Sequence, residues 1–307
     1  MINRVLIRLK VVQIVYAYYK NSGKSLKAAE DEVFFSLSKA YDLYNYMLLL
    51  MVGIKQYAAD RVSFLSMKIR PTESDRNPNL KFVNNRFISQ LEVNEQLVKF
   101  AEKSKLNWVE NSDLLRRLLD RIEESDIYKE YMASETSSYE EDQELWRKLY
   151  KAFIFDNAEL DALLEEQSLY WNDDKSIVDT FVLKTIKRFE EENGAAQQLL
   201  PEYKDVADME FARSLFRNAI AKADTYRELM SQSSKNWDMS RLAFMDVVIM
   251  QVALAEVMTF GDIPLSVTLN EYVEIAKHYS TVKSGSFVNG LLDSITKKLR
   301  SENKIDK

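Results

Sequence analysis

The chain of 307 residues has no cysteine, one histidine, four prolines and six glycines. Without cysteine there is no disulfide framework, no thiolate metal site and no cysteine nucleophile. With His278 as the sole histidine, no Ser-His-Asp triad, histidine zinc cluster or paired Glu-x-x-His di-iron site can be assembled. So few glycines and prolines argue against a turn-rich all-β fold and predict a mostly helical one. A long hydrophobic run is missing as well. The longest, residues 43–54, has twelve residues between Asp42 and Lys55, too short to span a bilayer. Neither Gly-x-x-x-x-Gly-Lys nor Gly-x-Gly-x-x-Gly occurs, so phosphate-cradling nucleotide folds lack support. Carboxylates are plentiful, but Glu140-Glu141-Asp142 and Glu190-Glu191-Glu192 read as solvated helix ends. Glu274 and His278, one turn apart, read as a solvated or paired histidine rather than a ligand set. No catalytic residue, metal or cofactor is predicted, and the chain is read as a non-enzyme of the cytoplasm with no membrane association.

What is present is unevenly distributed. The first 29 residues carry Arg4, Arg8, Lys10, Lys20, Lys24 and Lys27 and no acid, while the whole chain has a net charge of −6, which leaves −12 for the rest. This predicts one localised anion-binding end on an acidic body. A helix is expected over residues 3–19, with Asn3 as its N-cap. Val5, Leu9, Val12 and Tyr16 line one side, and Leu6, Ile7, Val11, Ile14 and Val15 fill much of the rest, so the helix must be largely buried. Arg4 and Arg8 lie one turn apart in its opening turns, where the helix dipole disfavours each cation by about 0.3–1 kcal/mol. A bound phosphate would reverse that sign. Pairing with acids elsewhere in the fold is the alternative. The segment lacks the serines and further arginines of a mitochondrial presequence, and Lys10 and Gln13 interrupt it as a secretory signal.

At the other end three helical runs follow one another. Leu242, Met245, Ile249, Val252, Leu254 and Val257 make the first, from about residue 238, apolar nearly all round, as in a buried central helix. Gly261-Asp262 ends it and Pro264 opens the next. There Val267, Leu269, Val273, Ile275 and Ala276 form the expected stripe, with Glu271, Glu274 and Lys277 facing water. Val288, Leu291, Leu292, Ile295 and Leu299 mark the third.

The series Asp262-Ile263-Pro264, Asn270-Glu271, Glu274-Ile275-Ala276-Lys277, Phe287-Val288-Asn289-Gly290 and Leu292-Asp293 resembles the C-terminal half of the NusB transcription antitermination family. Arg4, Arg8, Gln13 and Tyr16 match the spacing of that family's arginine-rich first helix, although Val5 and Leu6 stand where basic residues are frequent. The resemblance implies an all-α, NusB-like double helical bundle. It implies a factor that binds single-stranded boxA-type leader RNA with the NusE ribosomal protein and supports RNA polymerase read-through in an antitermination complex, notably in ribosomal RNA operons. Such RNA is held by charge and stacking. On the resemblance, the RNA-binding residues are Arg4, Arg8, Lys10, Gln13, Tyr16, Lys283 and Phe287, with Tyr18 and Tyr19 as further stacking groups. For these aromatics ordinary core packing is the alternative. Lys283 stands where the family usually has an acid, and Gly285-Ser286 where His-Lys is common. The partner surface is expected near residues 279–287. The family occurs as monomers and as dimers that hide the RNA surface. NusB-like domains also open some RNA methyltransferases, but little chain follows Leu299.

The family is commonly less than half this length. The resemblance covers about residues 1–60 and 205–300, and residues 61–204 read as a large helical insertion of unassigned role. A helix over residues 25–57 shows a stripe of Val33, Leu37, Ala40, Leu43, Met47 and Leu50. A polar loop with Pro71 and Pro78 follows, then four helical blocks at about 85–104, 112–132, 138–164 and 175–193, then a helix over 208–230. The expected division is 1–60, 61–204 and 205–307. A non-catalytic interaction scaffold that keeps the fold but not RNA binding is the second reading.

Overall fold

The structure, a computed structural model, describes residues 1–21, 23–136, 138–233, 242–281 and 283–306. Among these it is all-α: fifteen α-helices, no strand, and one isolated parallel bridge between Ile2 and Tyr203. Helix α1 is Arg4–Lys20, capped by Asn3, whose side chain accepts from Leu6 N. Helix α2, Leu26–Ser66, outruns the expected end at residue 57. Its stripe of Val33, Leu37, Ala40, Leu43, Met47 and Leu50 is wholly buried.

Two compact units are present, one of residues 39–201 with Met1 and the other of residues 2–38 with 202–307. The first division thus falls inside α2, twenty-odd residues before the boundary expected at 60. The reason is in the side chains of that stretch. Trp171 Nε1 donates to Lys39 O at 2.8 Å, Tyr44 and Thr185 hydroxyls meet at 2.6 Å, and Trp108 Nε1 donates to Tyr46 O at 2.9 Å. Residues 39–60 are therefore part of the unit of residues 39–201.

In the unit of residues 39–201, the polar loop carries a short helix α3, Glu73–Arg76, closed by a Thr72–Asp75 capping box. The four expected blocks are each broken. They become α4 (Arg86–Glu92) and α5 (Glu95–Ser104), α6 (Ser112–Glu124) and α7 (Asp126–Ala133), α8 (Tyr139–Leu149) and α9 (Ala158–Gln167), and α10 (Lys175–Arg188) followed by a 3₁₀ segment, Glu191–Ala196. A π-helical turn, Tyr150–Ile154, extends α8. Asn94, Ser125 and Asn157 make the breaks by N-capping α5, α7 and α9, accepting from Leu97 N, Tyr128 N and Leu160 N respectively. Helix α8 packs on α4, α7 and α10. Its Trp146 is fully buried and stacks on Phe82 at 5.4 Å. Lys175 is buried with its charge met by Asp179 Oδ2 at 2.8 Å and Ile154 O at 2.9 Å.

The other unit adds α11 (Val206–Ala221), α12 (Ala223–Ser233), α13 (Phe244–Thr259), α14 (Leu265–Tyr279) and α15 (Ser284–Ser301). The expected helix over 208–230 is split at Lys222, and Trp237–Arg241, where the first C-terminal run begins, lie outside the described residues. Helix α13 is the centre, packed on α1, α11, α12, α14 and α15 and buried from Val248 to Val257. The stripe expected on α14 is corrected. Val267 is exposed, and the buried face is Thr268, Tyr272, Ile275 and Ala276. Two polar side chains take the inward positions because a buried carboxylate on α13 needs their hydroxyl groups. At Gly285 a Cβ would meet Lys277 Cγ at 2.6 Å, so a larger residue there would require the Lys277 side chain to shift.

Glu30 of α2 is buried in this unit, accepting from Arg217 Nε at 2.5 Å and Nη2 at 3.0 Å. The hydrogen bond from Arg217 lowers the Glu30 pKa, against a smaller opposing effect of burial. A depressed folded-state pKa gives stability that is fully present above the unfolded glutamate value of about 4.3 and is lost as pH falls through the folded value. Glu30→Gln is expected to lower the melting midpoint at pH 7 and to flatten its decline on acidification below that value. Midpoints measured across pH 3–7 that fall in parallel for both proteins would show that the pair carries none of the acid sensitivity.

Candidate nucleic-acid interface

Arg8 and Glu256 are buried charges in two largely apolar helices, and the fold joins them. Arg8 Nε and Nη2 donate to Glu256 Oε2 and Oε1 at 2.8 and 2.7 Å, a bidentate pair. Thr268 Oγ1 and Tyr272 OH donate to the same carboxylate at 2.8 and 2.9 Å. Arg8 is 3% exposed, and Glu256, Thr268 and Tyr272 are sealed. Burial opposes the Arg8 charge, but the hydrogen bonds and charge of Glu256 outweigh it and raise its pKa. Burial, with the adjoining carboxylate, pushes the Tyr272 hydroxyl far up, so it remains a donor.

Arg4 is half-exposed, with Asp208 and Asp262 each at 3.9 Å, and its guanidinium lies 4.9 Å from the Phe211 ring centre. Glu271 lies 4.0 Å from Arg8 Nη1. Two guanidinium groups thus face four carboxylates, the pairing with acids elsewhere in the fold that stood as the alternative to phosphate binding. Lys10 is buried too. Of the basic residues assigned to RNA on the first helix, only Arg4 reaches the surface, and its charge is already countered.

The far end of α1 differs. Tyr16 and Tyr19 lie 5.5 and 6.1 Å from Phe244, and Tyr18 is edge-on to Tyr19 at 5.7 Å. Lys20 Nζ sits 4.8 Å from the Phe244 ring and 5.6 Å from that of Tyr16, while Arg227 of α12 sits 4.9 Å from Tyr19. The aromatic rings are half-buried and Lys20 is exposed. Gln13, half-buried, precedes this cluster on α1. Phe244 opens α13, and in the same turn Asp246 Oδ2 accepts from Ser284 Oγ at 2.9 Å. Ser284 also bonds Thr281 and Ser280, so the turn bearing exposed Lys283 is fixed beside the start of α15, with Phe287 half-buried in its first turn. Tyr16, Lys283 and Phe287 are therefore assigned to one end of α13. Arg4 lies twelve residues from Tyr16, about 18 Å along the helix, so the seven predicted residues do not form one patch.

Sequence reasoning did not bring Lys20, Arg227 and Phe244 into this cluster, because nothing in their local spacing links α1, α12 and α13. The Arg8–Glu256 pair had a usable signal: opposite charges in two helices too apolar to leave either one exposed. Among the described residues no group of three histidine, cysteine, aspartate or glutamate side chains is placed to hold a metal, and no helix is long and apolar enough to cross a membrane.

Comparison with known proteins agrees with the C-terminal pattern. A family model described as the NusB family matches residues 178–297, from within α10 to α15. The chain is 33% identical over 132 residues to transcription antitermination protein NusB of Salinibacter ruber, a match covering 41% of this chain and 82% of that protein. It is 41% identical over 87 residues to the protein of that name from Dictyoglomus turgidum and 32% identical over 122 residues to that from Chloroherpeton thalassium. The chain spans 60% and 58% of the length of these two. A solved T. maritima NusB structure is 33% identical, with 38% of this chain and 82% of that chain covered and a TM-score of 0.29. With four-fifths of the Salinibacter protein matched at this identity, the chain belongs to the NusB family of transcription antitermination proteins.

Proposed function

We propose that this protein binds single-stranded boxA-type leader RNA together with the NusE ribosomal protein and supports read-through by RNA polymerase, notably in ribosomal RNA operons. The observation that carries the reading is the match to the Salinibacter protein over 82% of its length. The cluster at one end of α13 supports the reading. Lys20, Arg227 and Lys283 meet phosphates, and Tyr16, Tyr19, Phe244 and Phe287 offer ring faces to bases. Arg8 and Lys10 act indirectly, by seating α1 against the core.

Binding of labelled boxA-type RNA, with and without NusE, against a scrambled RNA tests this. Wild type should prefer the boxA sequence and bind tighter with NusE. Lys20→Ala and Lys283→Ala should each lessen the slope of log affinity on log salt by about 0.7. Equal binding of both RNAs, with and without NusE, would sink the reading. The pairing of Arg4 and Arg8 with four carboxylates favours the second reading, a scaffold without RNA affinity, and absence of binding even with NusE would establish that one.

A further inference from the structure

The unit of residues 39–201 has no role in the reading above, yet it carries an open apolar groove of about 670 Å³ between α2, α5 and the start of α6. Its floor is rigid. Trp108 stacks on Tyr46 at 4.2 Å and nearly parallel, and its indole N–H is held by Tyr46 O. Gly53 of α2 lets it approach, since a Cβ there would lie 3.3 Å from Trp108 Cβ. Around the floor, large apolar side chains face solvent: Phe64 is 72% exposed and Val109 75%, with Val98 between these extremes and full burial. Leaving such groups contiguous and uncovered costs solubility without stabilising the fold, which is the usual mark of a binding face.

The charges lining the groove select the partner. Arg61 is neutralised by Asp120 at 2.7 Å and Glu123 at 3.3 Å, and Glu92 by Lys55 at 2.5 Å. Asp60 and Glu102 remain, both exposed and with no ion pair or hydrogen bond among the described residues. An apolar trough whose uncompensated charges are negative complements a helix with an apolar stripe flanked by lysine or arginine. We propose that this groove binds a basic amphipathic helical segment of a protein partner. A nucleic acid or an acidic segment is repelled by the same two carboxylates.

The test uses the full chain and two fluorescein-labelled helical peptides with leucine at i, i+3, i+4 and i+7. One has lysine at the remaining positions and the other glutamate. The leucine–lysine peptide should bind saturably and the leucine–glutamate peptide should not. Asp60→Lys/Glu102→Lys should weaken the first by about ten-fold or more. Glu165→Lys/Glu166→Lys, an equal change of charge on exposed residues of α9 outside the groove, should leave it within about two-fold. Phe64→Ser/Val109→Ser should also weaken it. Absence of saturable binding, equal loss in both charge variants, or equal binding of both peptides overturns the proposal. So does self-association in sedimentation that Phe64→Ser/Val109→Ser abolishes, because the groove would then be covered by a second copy.

Discussion

Arg8→Met is expected to destabilise the chain by about 3–5 kcal/mol, read as a lowered denaturant midpoint in far-UV circular dichroism. The substitution keeps the volume of the arginine stem but strands the Glu256 carboxylate in the core, with only Thr268 and Tyr272 donating to it. The cost is therefore that of an uncompensated buried charge, not of a lost contact. Glu256→Gln added to Arg8→Met should recover much of it, since an amide needs no counter-ion. If the double variant is no more stable than the single, the loss comes from packing along α1. The same geometry predicts how the arginines differ in RNA assays. Arg8→Met should lose RNA binding in step with its folded fraction, whereas Arg4→Ala should leave folding nearly unchanged, its partners being at 3.9 Å and partly solvated. Loss of RNA affinity in folded Arg8→Met would mean that Arg8 leaves Glu256 to meet the RNA.

Trp146→Ala should cost about 3–5 kcal/mol in the unit of residues 39–201. The indole is sealed between α8 and its neighbours and stacks on Phe82, which in turn meets Tyr128 edge-on at 5.3 Å. Removing it leaves a hole in the packing of α8 on its neighbours that they can close only in part. Trp146→Phe is the control. It keeps a ring over Phe82 and removes an indole N–H that makes no hydrogen bond among the described residues, so its loss should be far smaller. Urea titrations of the two variants check this, and equal losses would mean that neither the retained ring nor the filled volume accounts for the stability that Trp146 contributes.

Much of the helical architecture was legible because burial is written in spacing. The α2 stripe, the near-uniform apolarity of α13 and the Asn3 cap each follow from one local pattern. The broken blocks were not, because Asn94, Ser125 and Asn157 interrupt helices whose apolar period runs on across the break. On α14 the inward face is polar, so a rule that seeks apolar residues chose Val267 over Thr268. The site was legible only in part for a related reason. Spacing placed Arg4 and Arg8 on one face, but the carboxylates that meet them lie more than 200 residues away in sequence, as does the Phe244 ring beside Tyr16. Long-range pairing decides whether a cation is spent in the core or offered to a ligand, and no local pattern records it.

The discontinuous build of one unit has a consequence for biosynthesis. Helix α1 leaves the ribosome with an almost continuous apolar surface, but α11, its first partner from the far part of the chain, begins 186 residues after Lys20. At about 5–20 residues per second that is a wait of about 10–40 s. Throughout it, all of residues 39–201 can be completed, while α1 still lacks its partners α11, α13 and α14. Its Arg8 can reach Glu256 only after 248 further residues have been made, so that ion pair closes after the whole of residues 39–201 is available to fold.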